Sequence, residues 1–130
     1  ACDPGVLFDS TYDRVQRQVF DQSCAVSGCH DSNAYVNAGN LLLEASAFPG
    51  NLIDRTPTNA DADALGWKRI VAGDAANSYL VHKLTGDFPG NGFGDRMPRD
   101  RPKLDTTLID VITLWIQAGA PATGWVPGTD

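Results

Sequence analysis

The residues best suited to chemistry stand almost side by side: Cys24, Cys29 and His30. Two thiols with four residues between them, and a histidine directly after the second, form a spacing variant of the Cys-x-x-Cys-His signature for covalent haem attachment. The grouping has a chemical reason. Thioether bonds to the two vinyl groups of a porphyrin need two thiols a fixed distance apart, and a histidine beside the second then lies beneath the iron as proximal ligand. The small residues Ala25, Ser27 and Gly28 permit the two additional residues to bulge outward. Two other chemistries use the same atoms. A zinc site on Cys24, Cys29 and His30 needs a fourth ligand, for which the remaining cysteine and histidine are Cys2 and His82. A Cys24–Cys29 disulfide suits a secreted chain.

A haem iron also needs a sixth ligand or an open position, and the chain contains a single methionine, Met97. It stands in Gly94-Asp95-Arg96-Met97-Pro98-Arg99, a polar loop where a packing methionine has little to pack against. His82 is the competing imidazole. It falls inside a helical pattern beside Lys83, where a solvated or locally hydrogen-bonded histidine is the plainer role.

The elements that must position these residues can be read from caps and periodicity. Ser10-Thr11-Tyr12-Asp13 offers an N-cap hydroxyl, and Tyr12, Val15, Val19 and Phe20 follow at helical spacing, which predicts a helix over about residues 11–22. Asp74 reads as the N-cap of a second helix through Ser78 to Leu84, stopped at Thr85-Gly86. The stretch from Asp87 to Pro102 is too rich in proline and glycine to be other than loop. Asp105 announces a last helix through Leu108, Ile109, Ile112, Trp115 and Ile116, ending at Gly119 with Pro121 beyond. From His30 to about residue 73 the sequence is rich in Asn, Asp, Ala, Gly and Pro, with short apolar patches at Leu41-Leu42-Leu43 and Asn51-Leu52-Ile53 that suit single turns or strand fragments. The expected fold is mainly α, three helices joined by long irregular loops, with Phe20, Leu80, Leu84, Leu104, Ile112 and Trp115 as core or pocket residues.

Composition sets the outer limits. The 130 residues suffice for one domain, and no apolar run approaches the roughly 18 residues of a membrane span. A net charge of −6 argues against nucleic acid as a partner.

In its order of parts the chain resembles the mono-haem class I c-type cytochromes, in particular the longer-spaced Cys-x4-Cys-His members of bacterial periplasmic and surface proteins. A helix leads into Cys24-x4-Cys29-His30; the segment Arg69-Ile70-Val71-Ala72-Gly73-Asp74-Ala75-Ala76-Asn77-Ser78-Tyr79-Leu80 precedes a helix; Arg96-Met97-Pro98 follows, then Leu104 and a terminal helix ending Trp115-Ile116-Gln117-Ala118-Gly119-Ala120-Pro121. The resemblance covers roughly residues 11–121 and is weakest across 40–68. It implies terminal helices packed around one haem c, with Cys24 and Cys29 as thioether anchors, His30 as proximal and Met97 as distal ligand. Residues 1–10 are then an N-terminal extension, 11–121 the cytochrome domain and 122–130 a tail. Trp67 and Tyr79 are candidate donors to haem propionates or ordinary packing aromatics.

With both axial positions filled, the implied activity is one-electron transfer and not catalysis. The rivals are a haem protein with an open distal site, peroxidase-like or ligand-sensing, and a cytochrome domain that docks on a larger redox enzyme. Haem attachment in bacteria takes place outside the cytoplasm, so the resemblance implies a periplasmic or cell-surface location. Ala1-Cys2 looks like a lipoprotein cleavage point, with Cys2 as the lipid-bearing residue and a membrane tether. Arg96, Arg99, Arg101 and Lys103 gather within eight positions of an otherwise acidic chain, an expected docking patch for redox partners.

Overall fold

The structure, a computed structural model, describes residues 7–130. Cys2 lies outside the described residues. The fold is mainly helical, with pairing between extended segments limited among the described residues to isolated bridges such as Ile53 with Ile70 and Lys68 with Ser78.

The first helix starts where its cap predicts. The Ser10 hydroxyl accepts the Asp13 amide at 3.0 Å and α1 runs Thr11–Arg14. From there the winding widens to a π-helix over Val15–Cys24, closed by the Ala25 amide on the Phe20 carbonyl at 2.7 Å. The sequence predicts ordinary α winding ending near residue 22, and the difference matters for Cys24. From Val15 to Cys24 is about two and a half turns at 3.6 residues per turn, which in an α-helix puts the two side chains on opposite faces. Wider π turns bring them back to one face, and both are buried.

Three further α-helices follow. α2, Ala60–Ala64, is capped by the Asn59 side chain on the Ala62 amide at 2.9 Å. α3, Tyr79–Thr85, ends at Gly86 with φ of 75°, the left-handed conformation its C-terminus requires. Asp74 does not cap it; a 3₁₀ turn over Ala75–Asn77 intervenes, and the Asp74 carboxylate takes the Asn77 side-chain amide instead. α4, Thr106–Gln117, is capped by Asp105 on the Thr107 amide at 2.8 Å.

α4 buries Ile109, Ile112, Trp115 and Ile116 against the first helix and α3, meeting Val15, Val19, Phe20, Leu80 and Leu84 in one core. Leu104 is only partly buried at its edge. The Trp115 ring lies beside Tyr12 and Phe48, and its indole N–H donates to the Pro121 carbonyl at 2.9 Å. Residues 122–130 run back along the first helix: the hydroxyls of Thr11 and Thr129 bond at 2.7 Å, and Arg14 donates to the Thr129 carbonyl at 2.6 Å. The start of α1 and the segment around Thr129 thus brace each other. A second, smaller cluster joins Ala62, Trp67, Tyr79, Phe88 and Phe93 next to α3.

Candidate functional site

The loop that follows the first helix is closed by two backbone bonds, Cys29 amide to Val26 carbonyl and His30 amide to Cys24 carbonyl, each 3.0 Å. Ser27 and Gly28 stand exposed at its tip and Gly28 has φ of 84°, so the two additional residues bulge outward and glycine supplies the backbone angle. Cys24, the π-helix terminus, faces inward. Met97 reaches the same region from the other end of the chain: its amide donates to the Lys83 carbonyl in the last turns of α3 at 2.7 Å, and buried Pro98 follows.

Cys24, Cys29, His30 and Met97 all line one cavity of about 340 Å³. That volume lies in the range of small-molecule and cofactor pockets. Its apolar wall is built from Leu41, Leu43 and Leu52 together with Leu80 and Leu84 of α3. His82 is not on that wall. Its ring lies flat on Trp67 with centroids 4.0 Å apart, and its two nitrogens meet the carbonyls of Asp87 and Ala76 at 3.0 and 2.8 Å. Trp67 is likewise absent from the wall, and although Tyr79 contributes to it, the Tyr79 hydroxyl donates to the Phe93 carbonyl. These two aromatics pack with Phe93 and Phe88.

His30 is oriented by one bond: Nδ1 faces the Leu41 carbonyl at 2.8 Å. A ring nitrogen against a carbonyl must carry the proton, so Nε2 is left with the free lone pair. Burial holds the His30 pKa below its ordinary value, opposed by the Leu41 bond and reinforced by the positive charges of Lys83 and Arg69. The neutral ring that a metal needs is therefore the form the fold favours. Burial also pushes the Cys24 thiol up to about 12, with Cys29 adding to the rise and Arg101 opposing it. Both cysteines are free thiols. Among the described residues no three His, Cys, Asp or Glu side chains come close enough to hold a metal ion, so Cys24, Cys29 and His30 are spread around the cavity and do not converge as a zinc site requires.

The positive wall was disclosed by the sequence only in part, through Arg99 and Arg101, and the structure adds Arg69 and Lys83. Arg69, Lys83, Arg99 and Arg101 line the cavity, and among the described residues no Asp or Glu does, in a chain whose net charge is −6. Arg69 is 5% exposed, and its guanidinium is held by the Asn51 carbonyl at 2.7 Å, the Asn51 side-chain oxygen at 3.0 Å and the Gly39 carbonyl at 2.8 Å. It has no carboxylate partner among the described residues. An uncompensated buried cation is costly, so the favoured occupant brings negative charge. Burial lowers the Lys83 pKa, and its ammonium donates to the Phe93 carbonyl at 3.2 Å. Of the expected docking residues, Arg99 and Arg101 reach the cavity wall, and Arg99 pairs with Asp95 across 3.2 Å at a solvent-exposed position. Arg96 instead folds over Gly86, with Nη1 buried and unpartnered, and Lys103 is exposed away from the wall.

The cavity wall thus presents two thiols, an imidazole nitrogen, a thioether sulfur and cationic side chains to one mainly apolar space. Comparison with protein families, with curated proteins and with solved structures finds no match to this chain. Among the described residues no helix is long and apolar enough to cross a membrane.

Proposed function

We propose that the cavity holds one covalently bound haem c, that the fold is of the class I cytochrome c type, and that the chain is a one-electron carrier in a bacterial extracytoplasmic electron-transfer chain. The observation that carries this reading is the meeting of Cys24, Cys29, His30 and the single methionine, Met97, on one mainly apolar cavity with an all-basic set of charges. Bound there, haem supplies the Fe(II)/Fe(III) couple by which an electron is taken up and passed on.

The chain's own residues divide the remaining work. Cys24 and Cys29 provide the sulfurs for two thioether links. His30 Nε2 and the Met97 sulfur would hold the iron, which would leave no position for a substrate and favours a carrier over an enzyme. Arg69, with two guanidinium nitrogens already fixed by Asn51 and Gly39, is placed to neutralise a carboxylate of the cofactor. Leu41, Leu43, Leu52, Leu80 and Leu84 keep water from the cavity, and methionine ligation in such surroundings raises the potential.

Arg99 and Arg101, at the cavity rim, are the proposed docking contacts for an acidic redox partner, and Arg96 and Lys103 flank them in the sequence. The periplasmic or cell-surface location, with a lipid on Cys2, belongs to the same proposal. Visible spectra of the oxidised and reduced protein, with and without carbon monoxide, test it. The reading expects c-type haem bands indifferent to carbon monoxide. No haem absorption, or ready binding of carbon monoxide to the reduced protein, overturns the His/Met carrier.

A further inference from the structure

A single peptide unit stands between His30 and a side chain remote from it in sequence. The carbonyl of that unit belongs to Leu41 and faces His30 Nδ1 at 2.8 Å; its N–H belongs to Leu42 and donates to the Asn51 side-chain oxygen, also at 2.8 Å. Both distances are at the short end for N–H···O bonds. Asn51 is itself held, because Arg69 Nη1 donates to its side-chain oxygen and to its carbonyl. The next residue locks the same strand of chain: the Leu43 amide donates to the His30 carbonyl at 3.0 Å, and buried Gln16 donates to the Leu43 carbonyl at 2.8 Å.

We propose that Asn51 is a positioning residue for His30, acting through the peptide that joins Leu41 to Leu42. The proposal rests on the haem reading for its redox consequence. An amide accepted at its N–H end becomes a stronger acceptor at its oxygen, since the bonds of a chain polarise one another. Asn51 thereby strengthens the Leu41 carbonyl against Nδ1–H, fixes the ring and makes Nε2 a better donor. Outer partners of this kind set ligand basicity and orientation in metal sites. The route also joins the buried Arg69 guanidinium to the proximal histidine through the one Asn51 oxygen.

The test compares the full-length holoprotein with Asn51→Ala and Asn51→Asp, each checked by mass for haem content. Two quantities are read: the solvent exchange rate of the His30 Nδ1 proton by nitrogen-15 NMR of the reduced protein, and the reduction potential. Asn51→Ala leaves the Leu42 amide without its acceptor, so exchange quickens by about tenfold and the potential rises. Asn51→Asp restores an oxygen acceptor with more negative charge, returning exchange to the slow rate and moving the potential to the parent value or below it. A space-filling role would move both variants alike. Unchanged exchange in Asn51→Ala with haem retained, or equal shifts in the two variants, overturns the proposal; should the alanine variant not fold, a rise in potential or faster exchange in Asn51→Asp does so. If the parent carries no haem, the haem reading has failed separately. The Nδ1 proton exchange rate is then read in the haem-free proteins, where unchanged exchange in Asn51→Ala still overturns the positioning role.

Discussion

The amide of Met97 donates to the carbonyl of Lys83 at 2.7 Å, which ties the loop before the last helix to the end of α3. This bond explains how a methionine in a polar, proline-rich segment is brought to the cavity wall. Lys83 and His82 are neighbours in α3, yet Lys83 faces the cavity while His82 lies against Trp67. Met97→Ala is expected to remove the weak sulfur-to-iron charge-transfer band of the oxidised protein, lower the potential and admit carbon monoxide. His82→Ala is expected to leave all three unchanged while costing about 1–2 kcal/mol of stability through its lost bonds and stacking. Spectra, potentiometry and urea unfolding of both variants check this.

The two cysteines differ in their readiness to react. With the Cys24 thiol pushed up to about 12, protonated below that pH and ionised above it, only about one thiol in 10⁴ is thiolate at pH 8. In haem-free protein, iodoacetamide at pH 8 is therefore expected to label half-exposed Cys29 well before buried Cys24, with Cys24 labelling climbing steeply as pH rises toward 12. Peptide mapping of the labelled protein measures the order. Equal rates at pH 8 contradict the burial of Cys24.

Docking through the cavity rim carries its own signature. Arg99→Glu and Arg101→Glu reverse two of the rim's positive charges, and each is expected to slow electron transfer to an acidic partner severalfold at low salt, the difference fading as ionic strength rises. Transfer rates that ignore both salt and substitutions place the docking surface elsewhere.

How far the sequence disclosed this arrangement depended on whether the signal was local. Ser10, Asp105 and Gly86 act on amides and carbonyls a few residues away, so the helix ends they govern were legible. Cys24, Cys29, His30 and Met97 stood out by residue type and spacing, and the structure brings all four to one cavity wall. The π winding of Val15–Cys24 was not, since its apolar positions also suit an α-helix. Nor was α2, whose Ala-Asp-Ala-Asp-Ala run has no apolar periodicity. Arg69 and Asn51 escaped notice for a different reason. Their partners are backbone groups of Gly39 and Leu42, and a bond from a side chain to a distant main chain leaves no pattern in either segment. Trp67 and Tyr79 look like donors by type, and only packing reveals that they serve one another and Phe93.

The most direct measurement of the central claim is the intact mass, under denaturing conditions, of the protein produced in a host that attaches haem outside its cytoplasm. The account predicts the polypeptide plus one haem that denaturation does not remove, an increment lost when both Cys24 and Cys29 are replaced by serine. A mass equal to the bare polypeptide, or an increment that survives the double substitution, contradicts it.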